Sequence, residues 1–152
     1  MLAQVLIGIG AVLGAFTKEF TERHTSNAAI AQAMRTAIPV VRALDIDVDP
    51  GRYDGKLLDV VMNVTKGGVY KSGKGLYLQE REQGLSLVVF QSAFAGFGEG
   101  MEEHPDRIVA QYIGKYVKAR GTVRSFGTQA DGGKRLSMVI YAPGLISEIP
   151  ER

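Results

Sequence analysis

Cationic and aromatic side chains are interleaved through two stretches of this 152-residue chain. The first holds Lys66, Tyr70, Lys71, Lys74, Tyr77, Gln79 and Arg81; the second holds Lys118, Arg120, Arg124, Phe126, Lys134 and Arg135. Aromatic faces stack on unpaired bases, and lysines and arginines follow a phosphate backbone, so these residue types can bind a single-stranded polyanion. Outward lysines and arginines are also the ordinary solvated face of any strand. Asp59, Glu80, Glu82, Glu99, Glu102 and Glu103 dilute the positive field. The net charge is +2 and the sequence pI about 8.9, which permits a polyanion partner without requiring one.

Other motifs carry less. Gly68–Lys74 matches the GxxxxGK of a phosphate-binding loop, but Gly75 stands where that loop needs Ser or Thr. A strand is expected to follow it, where the motif needs a helix N-terminus, so a basic hairpin tip is the better account. Gly8-Ile9-Gly10 begins a GxGxxxG run with no strand–helix alternation behind it, which is not a dinucleotide loop. Asp45, Asp47 and Asp49 alternate as in part of a calcium loop, yet the glycine and distal glutamate of that loop are missing, leaving a solvated acidic linker. His24 and His104 are far apart, and the cluster Glu102-Glu103-His104-Pro105-Asp106 reads as a charged loop beside a helix start. There is no cysteine, so thiolate metal sites and disulfides are excluded. No nucleophile, base and orienting group stand together. A binding module is expected, not an enzyme, with no cofactor and no metal.

The elements that must position these residues follow from composition and pattern. An apolar content of 45% with 22% charged residues describes a globular chain able to bury a core. Nineteen glycines suit a small barrel with tight turns. Three regions are expected. Residues 1–25 begin with Met1–Phe16, which carries no charged side chain; as a helix it spans about 24 Å, short of a hydrocarbon core of about 30 Å. Its apolar residues recur at helical spacing around Gly10, Ala11, Gly14 and Ala15. Three roles stay open for it: a membrane contact with a close-packing Gly10–Gly14 face, a homo-oligomerisation helix, or a helix packed on its own domain. No basic segment precedes it and no cleavage site directly follows, so a cytoplasmic location is expected, membrane-associated if this segment anchors. Residues 26–51 hold a helix from Ala28 to about Ala37, capped by Ser26 or Asn27, then a further turn at Val40–Leu44 and the acidic connector.

Residues 52–152 carry five strands. Lys56–Thr65 alternates Leu58, Val60, Met62 and Val64 inward, and Gly67-Gly68 is expected to bend the chain after it. Leu76–Arg81 and Leu85–Phe90 form the second and third strands around a turn at Glu82-Gln83-Gly84. Ser92 caps a short helix to Phe97, and Pro105 opens another to about Tyr112. Tyr116–Phe126 points Val117, Ala119, Gly121 and Val123 inward. Arg135–Tyr141 closes the set after a turn containing Asp131-Gly132-Gly133.

The pieces GKLLDVVMNV, GLYLQEREQGLSLVVF, YIGKYVKARGTV and RLSMVIYAPGLI, in this order and spacing, resemble the OB-fold nucleic-acid-binding domains of the anticodon-binding and single-strand-binding kind over about residues 55–149. The resemblance implies a mainly β fold: a five-stranded Greek-key OB-fold barrel with a helix between strands three and four. It also implies a ligand face on strands two and three, flanked by the loops Lys66–Gly75 and Gly127–Lys134. The leading expectation is a single-stranded nucleic-acid binder. The alternative is a structural or assembly protein whose barrel makes protein contacts in a membrane-associated or oligomeric complex, because fold alone does not decide.

Overall fold

The computed structural model describes residues 37–128 and 134–151, with Ala29, which is helical, the one described residue before them. Met1–Phe16, the rest of the helix expected from Ala28, and Asp131-Gly132-Gly133 lie outside the described residues. From Pro39 onward the chain forms one compact unit.

In chain order that unit contains β1 (Val40–Arg42), α1 (Ala43–Val48), α2 (Pro50–Tyr53), β2 (Leu57–Asn63), β3 (Lys66–Val69), β4 (Gly75–Gln79) and β5 (Ser86–Phe90). A 3-10 helix at Gln91–Phe97 and α3 (Asp106–Tyr112) separate β5 from β6 (Tyr116–Thr128). β7 (Lys134–Val139), a 3-10 turn at Pro143–Leu145 and β8 (Ile146–Glu148) complete it.

The strands make one mixed sheet in the order β1-β2-β6-β7-β5-β4-β3, with β8 beside β6. β1 runs parallel to β2 and β5 parallel to β7; the other pairs are antiparallel. β2 and β3 are separated by only two residues in sequence but lie at opposite sides of this order. The exchange of partners happens at Val64-Thr65. Val64 N–H donates to Lys115 O (2.9 Å) and Val64 O accepts from Gly114 N–H (2.7 Å), both at the lead-in to β6. One residue later, Thr65 N–H donates to Gln79 O of β4 (3.0 Å). The expected first strand is thus one coiled run serving two neighbours, and the architecture is mainly β and OB-like.

The expected alternation holds. Leu58, Val60, Met62, Val64, Leu76, Leu78, Leu87, Val89, Val117, Ala119 and Val123 are all buried on one face. Phe94 and the α3 residues Ile108, Val109 and Tyr112 join this core, with the rings of Phe97 and Tyr112 edge to face at 6.5 Å. Burial of apolar surface is the dominant favourable contribution.

The structure corrects several local expectations. There are eight strands among the described residues rather than five. Val40–Arg42, expected in a helical turn, is extended because β2 offers it an open edge: Val40, Val41 and Arg42 register with Asp59, Val60 and Val61. Asp45–Asp49 is not simply a solvated linker. It overlaps α1, whose Ile46 is wholly buried, and the Asp47 Oδ1 accepts the Leu85 N–H at 2.7 Å. Gly67-Gly68 lies inside β3 rather than at a bend. The 3-10 helix starts at Gln91 without a side-chain cap from Ser92. β8 was not expected; three residues are too short to show a period.

Candidate functional site

Outward side chains on this sheet fall into transverse rows, because paired residues on adjacent strands point to the same face. Lys66 registers with Gln79, Gln79 with Ser86, Ser86 with Ser137 and Ser137 with Arg124, a polar row crossing β3, β4, β5, β7 and β6. Beside it, Gly68 registers with Tyr77, Tyr77 with Val88 and Val88 with Val139. Gln79, Ser86 and Ser137 are buried although they lie on the face opposite the core. Gln79 Nε2 donates to Ser86 Oγ at 2.8 Å, so this floor is a fixed pattern of amide and hydroxyl groups.

Above the floor is a groove of about 520 Å³, walled by Lys66, Tyr70, Tyr77, Glu82, Phe90 and Arg135. A volume of this size falls within the range of small-ligand sites. The rings of Tyr70 and Tyr77 lie 5.4 Å apart at 40°. Burial, and then neighbouring Tyr77, raise the Tyr70 hydroxyl above the usual phenol range, while nearby Arg135 pulls against that shift. Tyr70 also opens the turn at the hairpin tip. Gly73 N–H donates to Tyr70 O at 2.8 Å, and Gly73 sits at φ +71°, a conformation that favours glycine. The GxxxxGK match is therefore the turn between β3 and β4, with no helix behind it.

The structure separates the residues nominated from sequence. Lys66, Tyr70, Tyr77, Gln79 and Arg135 line the groove. Lys66 Nζ also meets Glu82 Oε1 at 3.3 Å on the exposed rim. Lys71 and Lys74 are exposed on the hairpin turn, and Arg81 is exposed past the end of β4 without lining the groove. Arg124 lines a second cavity of about 200 Å³ with Thr122, Ser137, Val139 and Tyr141. Lys118 and Arg120 line a third, of about 180 Å³. There Arg120 Nε and Nη2 donate to the two oxygens of Asp59 at 2.8 and 2.9 Å. These bonds hold the Asp59 carboxyl below the usual carboxylate range, against the opposing effect of burial. Phe126 and Lys134 lie on β6 and β7, and their side chains fall outside what is described.

Sequence reasoning passed over Glu82, Gln83, Ser86, Val88, Phe90, Ser137 and Tyr141. Part of the signal was present. With Leu85, Leu87 and Val89 inward, alternation points Ser86, Val88 and Phe90 outward, but the apolar run LVVF hides an exposed aromatic among core residues. Among the described residues no three His, Cys, Asp or Glu side chains gather as a metal site, and no helix is long and apolar enough to cross a membrane.

No family model matches the chain, and no curated protein matches it. Some solved structures are similar to parts of it. A Leishmania major protein assigned as an aspartyl-tRNA synthetase is 10% identical with a TM-score of 0.45, over 82% of this chain and 26% of that one. The Entamoeba histolytica asparaginyl-tRNA synthetase in complex with asparaginyl-adenylate is 13% identical with a TM-score of 0.43, over 74% of this chain and 24% of that one. An OBody bound to hen egg-white lysozyme is 16% identical with a TM-score of 0.42, over 66% of this chain and 86% of that one. This chain thus spans about a quarter of the length of the two synthetases.

Proposed function

We propose that this chain is a binding module for single-stranded nucleic acid, built on a sheet that closes as a Greek-key OB barrel, and that it is not an enzyme. The observation that carries the reading is the groove itself. Tyr70, Tyr77 and Phe90 line it as ring surfaces, Lys66 and Arg135 stand on its walls, and a buried amide–hydroxyl floor runs beneath them. Ring faces accept any base by stacking, cations hold the backbone, and the fixed floor groups can hydrogen-bond a base edge. Lys71 and Lys74 on the adjoining turn extend the cationic side toward solvent. Paired with Asp59 beside a different cavity, Arg120 has a structural role in this reading.

Fluorescence anisotropy on the full chain, with labelled single-stranded DNA and RNA of about 20 nucleotides over a salt series, tests it. Phosphate contacts by Lys66, Arg135, Lys71 and Lys74 predict a slope of about −3 in log affinity against log salt. Tyr77→Ala is expected to weaken binding about fivefold or more, since a stacked base contributes roughly 1–3 kcal/mol. Arg120→Ala is expected to leave affinity within about twofold, as it removes no groove contact. Affinity indifferent to both salt and Tyr77 would sink the proposal.

A further inference from the structure

Tyr141 is 74% exposed, the most exposed aromatic among the described residues whose accessibility is resolved. It ends the outward series Arg135, Ser137, Val139, Tyr141 that runs along β7 and past its end. The intervening Leu136, Met138 and Ile140 are buried in the core, so the alternation carries through to Tyr141. A side chain so exposed adds little to the core. Its neighbours give it a different significance. It lines the second cavity with Arg124, and that cavity shares Ser137 with the main groove.

Strand register places the outward residues that lead up to Tyr141. In the parallel pair of β5 and β7, Ser86 faces Ser137 and Val88 faces Val139. Two residues further on in each case come Phe90, which ends β5, and Tyr141, which lies past the end of β7. Phe90 in turn registers with Gly75 of β4. The Tyr70 ring covers Gly75 closely enough that a Cβ there would lie 3.2 Å from it. Tyr70, over Gly75, and Phe90, opposite Gly75, thus share one stretch of the face, and Tyr141 stands exposed two residues past the end of β7. The row of Gly68, Tyr77, Val88 and Val139 lies between these rings and the polar row, which has Lys66 at one end and Arg124 at the other. At roughly 4.8 Å between neighbouring strands, the four steps from β3 to β6 cover about 19 Å.

We propose that the bound strand crosses the sheet transversely beyond the main groove, with Tyr141 as a further stacking platform and Arg124 taking the phosphate next to it. The proposal rests on the single-strand reading above and gives that site a direction and a far end. Bases lie over the exposed rings, with the Tyr77 and Val88 row between them and the buried Gln79–Ser86–Ser137 floor. Tyr141 adds about one base to the length that the protein covers.

The test is affinity of the full chain for labelled oligo(dT) and oligo(U) of increasing length, from about three to twelve nucleotides, a range within OB-fold site sizes. For the unaltered chain, affinity is expected to rise with length to a plateau. Tyr141→Ala should reach its plateau about one nucleotide earlier and lose about fivefold on the longer oligomers, with little change on the shortest. Tyr141→Trp should keep the original plateau. If the unaltered chain binds and Tyr77→Ala weakens it, but Tyr141→Ala shifts neither plateau nor affinity, the extended track is wrong and the groove stands. A loss equal at every length also overturns the track. If the unaltered chain binds no oligomer at low salt, the single-strand reading itself fails.

Discussion

Asp59 is 5% exposed, and its carboxylate is held by the two Arg120 bonds. Because those bonds favour the charged form, the folded carboxyl lies below its ordinary value near 3.8. The stability that it contributes is present above that value and is lost as pH falls through the lowered folded value. Asp47 and Glu80 act in the opposite sense. Burial raises both, so each favours the fold more strongly in acid and loses that contribution as pH rises through its raised value. Comparing the unaltered chain with Asp59→Asn isolates the first effect. In chemical denaturation the variant is expected to be less stable at neutral pH, with the difference shrinking steadily below about pH 4. A difference independent of pH would mean that the pair acts through packing alone. The same pair shows where residue-level reading stops. Arg120 and Asp59 were both expected on outward faces, but sequence alone could not show that Asp59↔Arg120 are register partners.

At the scale of elements, the β3–β4 hairpin sets one wall of the groove. Its lysines and Tyr70 were legible as a basic hairpin tip, and the Tyr70–Gly73 turn bears that out. Gly67 has a tighter role. A Cβ built there would lie 2.8 Å from the backbone oxygen of Tyr77, which cannot swing aside as a side chain can. Gly67→Ala is expected to force β3 away from β4 and cost about 1–3 kcal/mol, the usual range for overpacking, measured by urea denaturation. A cost under a few tenths would show that the hairpin adjusts freely. Alternation located β2, β4, β5 and β6 because each runs for five or more residues and turns every second residue into the core. β1 and β8, three residues each, exist by pairing with β2 and β6 and leave no periodic trace.

For the molecule as a whole, the net charge of +2 supplies little long-range attraction, so binding must rely on how charge is arranged locally. Glu82 is the acid placed to matter, since it lines the groove and meets Lys66 at 3.3 Å. An exposed pair of this kind adds little to stability. Glu82→Gln should therefore leave unfolding almost unchanged while raising single-strand affinity at low salt, a gain that fades toward 1 M salt as charges are screened. Unchanged affinity at low salt would place the phosphate path away from Lys66. Long-range ties also act at this scale. Asp47 of α1 accepts from Leu85 at the start of the third expected strand, and so pins the turn that supplies Glu82 and Gln83 to the groove.

The sequence by itself determined the mainly β character, the inward set of each longer strand, the basic hairpin tip and five of the residues that line the groove. These follow from local rules: a period of two, turn chemistry, and the need to bury apolar surface. Only the tertiary structure decided which outward residues share a surface. Register placed Ser137 between Ser86 and Arg124, carried Arg120 to Asp59, and set Phe90 opposite Gly75. Register depends on pairing between residues far apart in sequence, 61 positions for Asp59 and Arg120, and no local pattern records such a separation.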